Sequence, residues 1–369
     1  MSKTKQNQGK RTKVAIVGAD LIPFNEAYAN QVRVLSEKLD ARVLTCGDLR
    51  FVPVKKRGRY LIVNVRFLAR KTPILSLLNG LFLYLVLKSY ESRFDVILLS
   101  AGVESMFLKF LNLKKCVPII STIDDEEKAK QFASKIAPNL KKIVVQSSRV
   151  KQKLIELGVD PNKLHLIYPI VDPDRFKYTE PPPLSPFKIL FASAPNVEIP
   201  EEDNFLVKGV PLLLEVFKKF TEVETAELYL LWRGKHSKEL NQKIEELRLR
   251  NKVVVIDKEV DAAEWYKETH VTVIPFLSTW RSPQVPLSAL ESLVSGRPVV
   301  TTNVLELADI VEKYRCGCVS SPTKDGLLSA LMECKQRYSE FQRNSRKITW
   351  ILYNRSKSDI KALIHALEE

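Results

Sequence analysis

The sequence is short of the features that assign most enzyme classes. Its four histidines, His165, His236, His270 and His365, stand far apart and match no metal-ligand spacing. Its five cysteines, Cys46, Cys116, Cys316, Cys318 and Cys334, are scattered and odd in number, which argues against a disulfide framework and for a reducing, cytoplasmic setting. Cys316-Gly-Cys318 has no second Cys/His pair at ligand spacing. There is no H-E-x-x-H, no P-loop and no nucleophile elbow, so neither a metal nor a bound cofactor is implied. Where a dinucleotide-binding oxidoreductase would show G-x-G-x-x-G, only Gly18 is present. The most apolar segment, Pro73 to Tyr90, is broken at Asn79 and Gly80 and falls short of the ~20 residues that a bilayer span needs. The opening MSKTKQNQGKRTK has no apolar centre, which excludes a signal peptide; residues 1–11 read as a basic, disordered tail.

What is present in excess is positive charge, a formal +15. Such an excess favours anionic partners: nucleic acid, an acidic membrane surface or phosphate-bearing substrates. Between Arg50 and Lys71 there are eight basic residues and no acidic one, and the apolar segment follows directly. Basic residues flanking an apolar helix suit docking on the anionic inner face of a membrane. The plain alternative is a solvated basic loop before a core helix. Nucleic acid is the weaker partner, because the run lacks interleaved aromatic stacking motifs and any recognition fold.

At 369 residues, 45% hydrophobic and 27% charged, the chain has room for two soluble domains. Short apolar runs recur at KVAIVG, ARVLTC, YLIVNV, DVILLS and VPIIST, alternating with helical patterns. This is the signature of an α/β, doubly wound domain with a mostly parallel sheet. EPPPLSPF, Glu180 to Phe187, is extended, semi-rigid linker chemistry. A second alternation follows: FKILFAS, LYLLWRG, KVVVID, HVTVIPF and Val299-Val300. We therefore divide the chain into a first domain over 12–178, a hinge over 179–187, a second domain over 188–340 and C-terminal helices over 341–369.

The stretch SPQVPLSALESLVSGRPVVTT, Ser282 to Thr302, is the most informative. Two prolines hold the chain extended, and Ser288 followed by Glu291 has the spacing of a capping box. A helix is expected from there to Gly296, with Leu287, Leu290, Leu293 and Val294 as its apolar stripe. Its N-terminus, packed on a parallel sheet, is a ready anion site. Glu291 is either the third-turn-residue partner of that box or a carboxylate for sugar or ribose hydroxyls. Lys208-Gly209 precedes another helix start; Lys208 is either a phosphate ligand or a surface lysine. Thr122 is followed by Ile123-Asp124-Asp125-Glu126-Glu127, which either decorates a helix start or aims a carboxylate at an acceptor hydroxyl.

The pattern proline, three residues, Leu-Glu, small residues, Gly, a basic residue and Pro-Val-Val resembles the donor-nucleotide motif of retaining GT-B glycosyltransferases of the group 1/family 4 type. Lys141 to Phe176 resembles the segment that closes their first domain, and Lys208-Gly209 resembles their diphosphate-binding turn. The resemblance covers residues 12–369 and implies a GT-B fold, two Rossmann-like domains facing a cleft. It implies transfer of a sugar from a nucleotide-diphosphate-sugar donor to an acceptor hydroxyl, in polysaccharide, lipid-linked glycan or glycolipid synthesis. Lys208, Leu287 and Ser288 would hold the diphosphate, Arg233 or Arg281 would supply a second cation, Glu291 would hold the ribose, and Asp124 and Asp125 would act on the acceptor. Three positions depart from the family: Pro283 and Ala194 stand where Glu and Arg are usual, and Asp124 where His is. A catalytically silent homologue that serves as a binding or partner subunit is the alternative.

Overall fold

The computed structural model describes residues 12–18, 27–46, 54–63, 84–100, 103, 108, 111–172, 174–193, 205–232, 237–258, 260–280 and 282–368. Among these, two separate sheets form. The first contains β1 (Val14–Gly18), β2 (Arg42–Cys46), β3 (Val54–Arg57), β4 (Tyr60–Val63), β5 (Val96–Ser100), β6 (Cys116–Ile120), β7 (Ile143–Val145) and β8 (Leu164–Leu166). They lie in the order β3-β4-β2-β1-β5-β6-β7-β8, parallel except for β3, which pairs antiparallel with β4 at one edge. The second contains β9 (Phe187–Phe191), β10 (Ala226–Leu230), β11 (Val253–Val255), β12 (Val271–Ile274), β13 (Val299–Thr302) and β14 (Gly317–Ser320), ordered β11-β10-β9-β12-β13-β14 and wholly parallel.

Strands covered on both faces need no polar alternation, and VAIVG and VILLS are apolar nearly throughout. The period of two still shows in what each side chain touches. Ala15, Val17, Ile97 and Leu99 enter one core, while Val14, Ile16 and Leu98 enter the core on the opposite face. The second sheet repeats this, with Ile189 and Phe191 on one side and Leu190 on the other.

Helices α1 (Ala27–Lys38), α2 (Glu126–Gln131) and α3 (Ser148–Glu156) belong to the first half. Helices α4 (Val210–Val223), α5 (Ser237–Glu246), α6 (Ala262–Glu268), α7 (Leu287–Val294), α8 (Leu307–Tyr314) and α9 (Lys324–Gln336) belong to the second. The last helix, α10 (Tyr338–Glu368), serves both. Tyr338, Phe341 and Ile348 complete a core of the second half, and Ile360, Leu363 and Leu367 complete the core beneath β1 and α1.

The chain crosses between the halves beside a buried cation. Arg297 is 0% exposed, and all its hydrogen bonds go to oxygens: the carbonyls of Thr269, Thr179, Ser295, Glu180 and Lys267, and the Thr179 hydroxyl. Burial pulls its pKa below the ordinary arginine value. His270, stacked on Phe187 at 5.1 Å, accepts from the Lys188 N–H through Nδ1, leaving Nε2–H to donate to the Pro182 carbonyl. Thr179, Glu180 and Pro182 are thus fastened to the second half.

Candidate functional site

In an open parallel sheet, ligands sit outside the carboxyl ends of the strands where the strand order reverses. In the second sheet that point lies between β9 and β12. Ser193 follows β9 there, and the loop 275–286 follows β12. The start of α4 is pressed against this loop. Gly209 caps α4 at φ +67°, Pro211 sits in the first turn, and the Leu277 N–H bonds to the Val207 carbonyl at 2.8 Å.

This packing places Lys208. The side chain is 8% exposed, and its Nζ lies 3.0 Å from Ser193 Oγ. Burial lowers its pKa to about 8, so it is a buried cation at neutral pH. A methyl group on Gly209 would stand 1.9 Å from the Pro275 carbonyl oxygen at a positive φ. Gly209→Ala is therefore expected to cost about 2 kcal/mol or more of stability. Gly158→Ala, at φ +90° with nothing within 4 Å, is expected to show only the ~1 kcal/mol strain of the backbone itself. Urea unfolding of the two variants measures the difference.

The helix expected near Ser288 exists, but the capping box does not. α7 begins at Leu287, its N-cap is Pro286 in extended geometry, and no side chain caps it. Ser288 is already inside the first turn. The reason is Pro286, whose fixed φ makes it the last extended residue and whose carbonyl accepts the first helical bonds, from Ala289 and Leu290. Glu291 consequently points inward. It is 2% exposed, with Oε2 3.2 Å from the Tyr266 hydroxyl of α6, and that hydroxyl is also 2.9 Å from the Ser288 carbonyl. One phenolic hydrogen cannot serve two acceptors. A protonated Glu291 donating to Tyr266, which donates on to Ser288, satisfies all three groups. Burial raises the Glu291 pKa to about 7 despite the Tyr266 bond, in keeping with that arrangement.

On the facing half, Asp125 is the N-cap of α2, accepting from the Lys128 N–H at 3.0 Å, and that bond lowers its pKa. Asp124 accepts from the Thr122 hydroxyl at 3.1 Å. The two regions meet: the Gln284 N–H, just before α7, reaches the Ser121 carbonyl at 3.5 Å. Arg233, Arg281 and Ala194 lie outside the described residues, as do residues 50–53 and 64–71 of the basic run.

A second junction lies beside this one. Glu306, 2% exposed and just before α8, accepts hydrogen bonds across the cleft from the N–H groups of Ser148 (3.1 Å) and Arg149 (3.0 Å). It also accepts from the hydroxyls of Ser147, Ser148 and Tyr168. Its own N–H donates to the Gln284 side chain at 3.2 Å. Ser193, Tyr266 and Glu306 escaped the sequence reading. Ser193 had a signal, since a small polar residue ended an apolar run; Tyr266 and Glu306 had none nearby.

A family model for Glycosyltransferase Family 4 matches residues 29–175, and one for Glycosyl transferases group 1 matches residues 204–336. No curated protein matches the chain in sequence. Among solved structures, sucrose-phosphate synthase from Thermosynechococcus elongatus superposes with a TM-score of 0.74 at 14% identity, over 96% of this chain and 97% of that one. Anabaena HepE in complex with UDP-glucose gives 0.71 at 14% identity, over 97% and 99%. WaaG, a glycosyltransferase involved in lipopolysaccharide biosynthesis, gives 0.69 at 16% identity, over 95% and 99%. At such identities the likeness shows the fold, which is GT-B.

Proposed function

The chain belongs to the GT-B glycosyltransferases that join a family 4 domain to a group 1 domain, and from that premise we propose a particular reaction. It transfers a hexose, with retention, from a nucleotide-diphosphate sugar to an acceptor hydroxyl in the synthesis of a polysaccharide, lipid-linked glycan or glycolipid. The observation that carries this reading is Lys208, a buried cation beside Ser193 at the reversal point of the second sheet.

In this reading the departing diphosphate accumulates negative charge as the glycosidic bond breaks. Lys208 and the N–H groups at the start of α7 (Leu287, Ser288) meet that charge with fixed dipoles and a cation already stripped of water, so little reorganisation is needed during the reaction. Glu291 accepts the ribose hydroxyls, and Asp124 acts on the acceptor side. HepE is described in complex with UDP-glucose, which makes uridine donors the first to test.

Titration calorimetry with UDP- and GDP-sugars, followed by a donor-hydrolysis assay, tests the reading. The wild-type chain should bind one donor and release its sugar slowly. Lys208→Ala should weaken binding tenfold or more, the loss of about 1.4 kcal/mol of charge interaction. Tight binding with no turnover on any acceptor would favour the silent homologue, for which the sequestered Glu291 is the specific observation. Absence of affinity for every nucleotide sugar would end both readings.

A further inference from the structure

The surface of α10 has no part in the site described above, and its composition is one-sided. From Phe341 to Ser358 the chain contains no Asp or Glu, but contains Arg343, Arg346, Lys347, Arg355 and Lys357. At 100° per residue, Arg343, Lys347, Trp350, Lys357 and Lys361 fall within an arc of about 80°. All five are exposed, while Phe341, Ser345, Ile348, Ile360 and Leu363 on the other side are buried.

Trp350 lies in the middle of this arc with 70% of its surface exposed, and Ile351 beside it is 38% exposed. Of the neighbouring acids, Asp359 is turned away, and Glu340, at the N-terminal edge of the arc near Arg343, is neutralised by basic partners. Asp359 is half-buried and faces Arg355 at 3.9 Å, and Glu340 pairs with Arg315 at 3.0 Å and with Arg337. Arg346, over the ring of Tyr178 at 4.4 Å, flanks the arc, while Arg355, over the ring of Tyr168 at 3.8 Å, lies outside it.

We propose that this face of α10 docks the protein on a bilayer surface rich in anionic lipid headgroups. The chemistry selects that partner. An exposed indole flanked by cations matches the boundary of a membrane, where the ring takes the acyl–headgroup interface and the cations meet phosphates. The charged positions from Arg343 to Lys361 extend over about 27 Å of helix, enough to contact several headgroups at once. No described helix is long and apolar enough to cross the membrane, so the contact is lateral.

The attachment also sets an orientation. Thr349, next to Trp350, bonds through its hydroxyl to the carbonyls of Leu293 (3.0 Å) and Val294 (3.2 Å) at the end of α7. The same helix ends in the first half's core. A membrane held against α10 therefore lies at a fixed angle to both sheets. The proposal is independent of which donor is used.

Sedimentation of the full chain with vesicles of phosphatidylglycerol and phosphatidylcholine, against vesicles of phosphatidylcholine alone, tests it. We expect binding only to the anionic vesicles, weakened by salt, with a blue shift of tryptophan emission that is missing in Trp350→Ala. The Lys347→Glu, Lys361→Glu double variant should partition at least tenfold more weakly while keeping the wild-type melting temperature and donor binding. Equal binding to neutral vesicles, or unchanged binding by the double variant, would overturn the proposal. So would complete displacement by a single-stranded oligonucleotide that shifts the tryptophan emission in the same way. If the double variant fails to fold, the Arg343→Gln, Lys357→Gln variant decides in the same assay: retained binding sinks the proposal, tenfold loss supports it.

Discussion

Replacing Glu306 by alanine is expected to destabilise the folded chain by about 3 kcal/mol, the loss of several hydrogen bonds to one charged acceptor. The carboxylate comes from the second half and satisfies donors of the first: two N–H groups at the start of α3 and three hydroxyls. A helix start without its acceptor leaves part-buried N–H groups unpaired, and alanine offers them nothing. Burial alone would raise the pKa of this carboxyl, but the bonds from Arg149 N–H, Ser147, Tyr168 and Ser148 N–H outweigh it and hold the pKa below the ordinary value. A lowered folded-state pKa contributes stability that is present above the ordinary carboxyl pKa and lost as pH falls through the folded one. The deficit of the variant should therefore be full at pH 7 and shrink in acid. Glu306→Gln should recover only part of the loss, because its amide sets two donors against donors.

The control is the neighbouring pair of Arg149 and Asp309, which also joins the halves, with N–O distances of 3.0 Å. Both side chains are largely exposed, 41% and 59%, so Asp309→Ala should cost no more than about 1 kcal/mol. Urea unfolding followed by far-ultraviolet circular dichroism and tryptophan fluorescence distinguishes the two. Coincident transitions in the wild type should separate in Glu306→Ala, because the sheets no longer share that contact. An unchanged midpoint would show that the junction is held elsewhere.

The architecture was readable from the chain because a sheet covered on both faces demands apolar runs, and the runs at β1, β2, β5, β6, β9 and β12 have few polar interruptions. β3 was not, because VKKR is a polar edge strand held on one side only, by its antiparallel pairing with β4. β14 was hidden too: GCVS is four residues long with a glycine and a serine at its ends, and its Cys318, like Cys316 just before it, is a buried thiol packed in the core. The ends of α3 are legible because caps are local: Ser147 and Ser148 both offer a cap and Gly158 a terminator, and Ser147 is the one that caps. Local logic failed at Ser288 and Glu291 for the opposite reason. The spacing of a capping box says nothing of Tyr266, which packs on α7 from another helix and draws the carboxylate inward. Arg297 shows the same limit. It occupies the basic position of the motif, but what it binds is the linker, more than 110 residues earlier in sequence.

Glu291→Gln should stabilise the protein above neutral pH and weaken its proposed function, and the two effects share one cause. Burial raises the carboxyl pKa to about 7, whereas the unfolded chain titrates near 4.5. A raised folded-state pKa contributes stability that is complete below the unfolded value and is lost as pH rises through the folded one. Between those limits the wild-type chain loses on the order of 3 kcal/mol, and a neutral amide of the same shape loses none of it. The difference in unfolding free energy between variant and wild type should accordingly be near zero at pH 4.5, grow through pH 7 and level off above it. Taking the difference removes groups common to both proteins, such as His270. Donor binding should move the other way, since an ionised carboxylate accepts from two ribose hydroxyls better than a neutral acid or an amide. Wild-type affinity for the donor should rise through about pH 7, then fall as Lys208 loses its proton near pH 8. Glu291→Gln should flatten the rising limb and leave the falling one. A donor lacking the ribose hydroxyls should flatten it equally in the wild type. A rising limb that survives the substitution would remove Glu291 from the ribose and leave it a sequestered core acid, held by Tyr266 alone.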